Sequence, residues 1–244
     1  MIIATIIAII YVLATYNNSE KIAISSAKAK PADPIRHRGF INAIDNMSIA
    51  SGMPKPKAYV MPGSRINAFT AGRDPNRAII CVTEGALKKL SKQELEGVVG
   101  HEMAHIANYD MRFMTLVAIV VGAIAIFSQI FLRSLWFSGG RRSSGEGGAI
   151  LMIIAIALAI LAPIIVMLVQ LSISRKREFM ADAGSVSFTR YPPGLVGALK
   201  KIGNEMGKEK KLEINRAVSH LLFAPNILST HPSIKDRIKK LEQM

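Results

Sequence analysis

The sequence predicts a mainly helical α+β protein, integral to a membrane, with a small β-sheet beside the helix that carries residues 101–105. Three observations predict this class. Long apolar stretches occupy 113–137 and 149–174, and a shorter one occupies 1–16. Apolar residues recur at helical spacing after Ser91, at Leu95, Val98, Val99, Met103 and Ile106. Three short runs, 58–61, 66–70 and 78–82, have strand composition between turn residues.

The elements follow in order. The stretch 1–16 lacks a basic leader and an A-x-A-like cleavage site, so it is a poor signal peptide. At helical rise it reaches roughly 24 Å against a ~30 Å hydrocarbon core, which predicts a short or incomplete anchor. The segment 17–112 reads as a soluble unit. In it, 40–51 is an amphipathic helix ended by Gly52 and Pro54. Ser91 and Glu94 have capping-box spacing and open a helix expected to run almost without break into the span at 113–137. Arg133 lies near the far end of that span and can snorkel. The Gly/Ser-rich stretch 138–148 is a flexible loop. Pro163 is expected to kink the span at 149–174, as spans tolerate. The segment 175–244 is helical and basic, with breaks at Pro192-Pro193 and His231-Pro232.

The two spans form a hairpin, so the segments 17–112 and 175–244 face one compartment. Each of these holds 14 Lys and Arg, whereas the stretch 133–146 holds three. That asymmetry places both segments in the cytoplasm and the loop outside. The net charge of +14 with 50% hydrophobic residues fits basic segments on a lipid bilayer. No nucleic-acid motif or aromatic-interleaved basic stripe is present, which argues against a nucleic-acid partner. Cys81 is the single cysteine, so an internal disulfide and CxxC metal sites are excluded. It sits in an apolar run and reads as a buried strand residue.

Residues 101–105 read His-Glu-Met-Ala-His. Two His four residues apart share a helix face and can grip one metal, with Glu102 beside the place of a bound water. This predicts a zinc-dependent hydrolase holding one Zn2+ per chain. A catalytic zinc takes three protein ligands and a water. A third His in the H-E-x-x-H-x-x-G-x-x-H pattern is excluded, because Asn108 and Met111 occupy those places. The best candidate is Glu178, just beyond the second span of the hairpin and so on the same membrane side. Alone, beside Arg175, Lys176 and Arg177, it also fits a solvated charge. Asp182, one turn later, is a candidate to hydrogen-bond a ligand His; a surface carboxylate is the alternative.

The stretches 67–73 (Asn-Ala-Phe-Thr-Ala-Gly-Arg), 95–105, 174–182 and 229–233 carry a specific resemblance. In order and spacing they resemble the HtpX family of membrane-bound zinc endopeptidases, related to the CaaX prenyl-protein proteases. The likeness runs from about residue 20 to the end. It implies a gluzincin-type metallopeptidase in the cell (inner) membrane, multi-pass, with its catalytic part in the cytoplasm. The family normally has two N-terminal spans, and this chain shows one short one. The resemblance implies metal ligands His101, His105 and Glu178, with Glu102 as general base. It also brings His231 and Arg237 near the site, His231 as an oxyanion donor and Arg237 as a substrate contact. On pattern alone, His231 fits a turn before Pro232 and Arg237 a solvated helix charge. Asn67, Ala68 and Phe69 resemble the family's substrate-binding strand edge; a turn Asn before a core Phe is the plainer alternative. The implied substrates are unfolded or damaged membrane proteins, in protein quality control under stress. A CaaX-type prenyl peptidase shares the site but needs more spans, and a non-catalytic basic scaffold does not need the full ligand set.

Overall fold

Strand β4 (Ile79–Thr83) is buried along its whole length, and the sheet is built around it. In this computed structural model the described residues are 10, 13–113, 175–213 and 233–244. β4 pairs in parallel with β2 (Lys57–Met61) and antiparallel with β3 (Ala68–Ala71). The short β1 (Lys30–Pro31) adds to β2, giving the order β1-β2-β4-β3. Ile79, Ile80, Val82 and Thr83 are β-branched and suit extended backbone. The strands expected at 58–61, 66–70 and 78–82 all form, the middle one displaced to 68–71. Its first residues are held otherwise. Ile66 N–H donates to Glu205 Oε2 at 3.0 Å, and Asn67 Oδ1 accepts from Ala68 N–H at 2.9 Å.

Helix α1 (Ser19–Ser26) precedes the sheet. Helix α2 (Arg38–Ser51) turns Phe40, Ala43, Ile44 and Met47 inward and stops at Gly52, whose φ of 67° is a left-handed C-terminal geometry. After β4 come α3 (Glu84–Lys89) and α4 (Lys92–Ala107). The capping box is present: Ser91 N–H donates to Glu94 Oε2 at 2.7 Å, and Glu94 N–H to Ser91 Oγ at 3.3 Å. Val98, Val99, Met103 and Ile106 of α4 meet Phe40, Ile44 and Met47 and the sheet residues Ile80 and Val82 in one core.

The helix opened by Ser91 continues to residue 113 with one short break, in keeping with the near-continuous helix expected. Its first part, α4, ends at Ala107, Tyr109 takes φ 57°, and a separate helical turn covers 110–113. An aromatic side chain rarely adopts that φ. The break directs the Asp110 carboxylate back to His105 Nδ1, at 2.8 Å.

Helix α5 (residues 175–189) lies on α4, followed by α6 (Pro192–Glu213) and α7 (Ile234–Leu241). Pro192 opens α6, where a missing N–H costs no helical bond. Leu195, Val196 and Leu199 of α6 pack with Leu241, Ile234 and Ile238, which seats α7. Beyond Phe113, the expected hairpin at 113–137, 138–148 and 149–174 lies outside the described residues, as do His231 and most of 1–16. Among the described residues, no helix is long and apolar enough to cross a membrane.

Candidate active site

Helical spacing puts His101 and His105 on one face of α4, their ring centroids 4.7 Å apart and nearly perpendicular. Glu178 reaches them from the first turns of α5. That helix comes close because small residues line the contact. A Cβ built on Gly184 meets Ala104 Cβ at 2.6 Å, and one on Gly100 meets Ser185 Oγ at 3.0 Å. Ser185 Oγ also donates to the Gly97 carbonyl at 2.7 Å, in the interior.

Three donors converge. His101 Nε2 and His105 Nε2 are 3.2 Å apart. Glu178 Oε2 is 3.5 Å from His101 Nε2, and Oε1 is 3.6 Å from His105 Nε2. The two imidazoles thus meet different oxygens of one carboxylate. Around a tetrahedral zinc with bonds of about 2.0–2.2 Å, donors stand roughly 3.3–3.6 Å apart. His101, His105 and Glu178 are the group among the described residues with this convergence.

The far nitrogens are held too. His101 Nδ1 lies 3.0 Å from Asp182 Oδ1, and His105 Nδ1 lies 2.8 Å from Asp110 Oδ2. A neutral imidazole donating from Nδ1 to a carboxylate turns its Nε2 lone pair to the centre. Burial works against a charged His101, but the hydrogen bonds to Asp182 and Glu178 outweigh it and raise its pKa to about 9. Asp182 is held low: burial opposes ionisation, while His101 and Arg237 favour it more strongly.

Arg237 is not a solvated helix charge. It is buried, with Nε 2.8 Å from Asp182 Oδ2, Nη2 2.6 Å from Asp182 Oδ1 and Nη1 3.3 Å from Glu178 Oε2. Glu178, Asp182 and Glu102 are buried as well, which removes the solvated alternatives for the first two. Asn67 is exposed just before the edge strand β3, on which Ala68 and Phe69 are half-buried, and β3 packs against α4. Asp110 and Arg177, whose Nη1 lies 3.0 Å from Asp110 Oδ1, were not legible as site residues. The carboxylate sits five residues after His105, and in an unbroken helix that position lies about 140° around the axis.

A divalent cation fits this centre by charge as well as by spacing. Glu102, Asp110, Glu178 and Asp182 are four buried carboxylates, and Arg177 and Arg237 supply two guanidiniums. With neutral imidazoles, a formal excess of two negative charges is left for a cation to balance.

A mainly helical fold with a small mixed sheet and a two-His, one-Glu donor set defines the metalloprotease class. Comparison with known proteins agrees. The model for Peptidase family M48 matches residues 34–244. A "Protease HtpX homolog" from Caldanaerobacter subterraneus subsp. tengcongensis is 40% identical, across all of this chain and 84% of the relative. One from Thermoanaerobacter pseudethanolicus is 38% identical with the same coverage. In fold, the crystal structure of S. mikatae Ste24p is similar, with a TM-score of 0.62 at 20% identity, covering 98% of this chain and 57% of that one. The chain belongs to peptidase family M48, among the HtpX protease homologues, and is a metalloprotease. Membership implies a metal, generally zinc.

Proposed function

We propose that the chain is a zinc endopeptidase of the cell membrane that cleaves unfolded or damaged membrane proteins from the cytoplasmic side. The observation that carries the site is the mutual spacing of His101, His105 and Glu178, at 3.2, 3.5 and 3.6 Å. In this reading those three residues hold the ion. Bound zinc supplies Lewis acidity, which brings a water's pKa towards neutrality and polarises a carbonyl. Glu102, next to His101 and buried, takes the proton of the attacking water and passes it to the leaving amine. His231 is proposed to donate to the oxyanion. Arg237, itself buried, pairs with Asp182 and Glu178, and it is also proposed to contact the substrate.

Strand β3 is the proposed substrate rail. Asn67 meets Thr83 through both its N–H and its carbonyl, so β-alternation turns the Ala68 carbonyl and the main chain of Thr70 to the other side, the Ala68 N–H being taken by Asn67 Oδ1. Among the described residues no strand pairs there. An extended peptide added to that edge is bound by its backbone, with little side-chain selection, which suits unfolded substrates. The Asn67 amide oxygen is occupied by Ala68 N–H, leaving Nδ2 to donate to a substrate carbonyl. Membrane attachment through 113–137 and 149–174 rests on their apolar sequence and the distribution of Lys and Arg.

The test is cleavage of an unfolded membrane protein by the wild-type chain and by Glu102→Gln, with zinc content measured in both. Retained zinc with lost cleavage is expected. Full activity of Glu102→Gln would remove Glu102 from the mechanism.

A further inference from the structure

We propose that Asp110, clamped by Arg177, is the positioning residue of His105, and that this clamp ties the chain entering residues 114–174 to the chain leaving them. The inference rests on the proposed metal site and goes beyond it. Asp110 is 6% exposed, and its Oδ2 lies 2.8 Å from His105 Nδ1. This contact requires the left-handed Tyr109, because a continuous helix would carry the carboxylate to another face. A costly backbone geometry at a functional centre points to a role for what it positions.

Arg177 completes the arrangement. Its Nη1 is 3.0 Å from Asp110 Oδ1 and 3.5 Å from the Asp110 carbonyl, and its guanidinium lies 4.0 Å from the centre of the Phe113 ring. Arg175 and Lys176 are exposed, whereas Arg177 turns inward. It directly precedes Glu178. One side chain therefore fixes the first turn of α5 against the turn 110–113, and so sets Glu178 against His105. His101 is built the same way, with Asp182 on Nδ1 and Arg237 on Asp182. Each ligand His thus has an Asp behind it and an Arg behind the Asp. Such carboxylates fix the tautomer and raise the basicity of a ligand imidazole.

The experiment uses the full chain in detergent micelles. Zinc dissociation constants are measured by chelator competition for wild type, Asp110→Asn, Arg177→Gln and Arg177→Lys. Nitrogen NMR of the zinc-loaded chain follows the His105 Nδ1–H. Asp110→Asn keeps the shape of the side chain and is expected to weaken zinc binding about 10–100-fold. Its His105 Nδ1–H resonance should shift, with that of His101 unmoved. Arg177→Gln should act in the same direction and Arg177→Lys should recover part of the loss. Wild-type affinity and an unmoved His105 signal in both Asp110→Asn and Arg177→Gln would overturn the clamp while leaving the metal site standing. Failure of the wild-type chain itself to bind zinc would overturn the metal site and the clamp together.

Discussion

Arg237 closes a bidentate pair with Asp182, Nε to Oδ2 at 2.8 Å and Nη2 to Oδ1 at 2.6 Å, in the buried interior between α5 and α7. Removing one partner leaves an uncompensated buried charge, which costs about 3–5 kcal/mol. Arg237→Gln is therefore expected to lower the free energy of unfolding by about that amount, read by urea titration. Arg237→Lys should recover little, because an ammonium cannot make the two-pronged contact. Full rescue by lysine would show that charge alone matters at this position.

The linkage between pH and metal follows from His101. Its pKa, raised to about 9 from an ordinary 6.5, lies above the unfolded value. Protonated His101 thus contributes stability in full below pH 6.5 and loses it as pH rises through 9. Zinc binding runs the other way, since the cation must displace that proton. Apparent zinc affinity should fall about tenfold per pH unit below 9, measured with a chelator buffer series. A flat affinity across pH 7–9 is the contrary result.

Close approach of α5 to α4 depends on Gly184. A Cβ there meets Ala104 Cβ at 2.6 Å, so Gly184→Val must push α5 outward. Overpacking of this kind costs about 1–3 kcal/mol. Because Glu178 rides on α5, zinc binding should fall more than stability does. Equal zinc content in Gly184→Val and wild type would show that Glu178 is held by other means.

The strand edge is tested by Thr70→Pro. Alternation points Thr70 N–H away from β4, so proline there spares the ladder. Losing one main-chain hydrogen bond of about 0.5–1.5 kcal/mol should raise KM about 2- to 10-fold, with kcat and zinc content little changed. An unchanged KM would move substrate binding away from β3.

Much of the architecture was legible because short-range rules govern it. The capping box, the Gly52 stop, the β-branched strands and the His pair each follow from local chemistry. Glu178 was legible through the hairpin argument and through the resemblance over 174–182, and Asp182 through its helical spacing from Glu178. Two features were hidden from residue pattern alone. The break at Tyr109 opposes the local helical tendency and is offset by long-range contacts of Asp110 with His105 and Arg177. The inward turn of Arg237 had a signal that charge obscured: it lies on the same stripe as Ile234, Ile238 and Leu241, the residues that pack α7 onto α6.

The most direct measurement is the metal content of the purified chain and of Glu178→Ala after dialysis, read by atomic absorption. One zinc per wild-type chain and its loss from Glu178→Ala is the result expected if α5 supplies the third ligand. Wild-type zinc content in Glu178→Ala would contradict the convergence of His101, His105 and Glu178 on one ion.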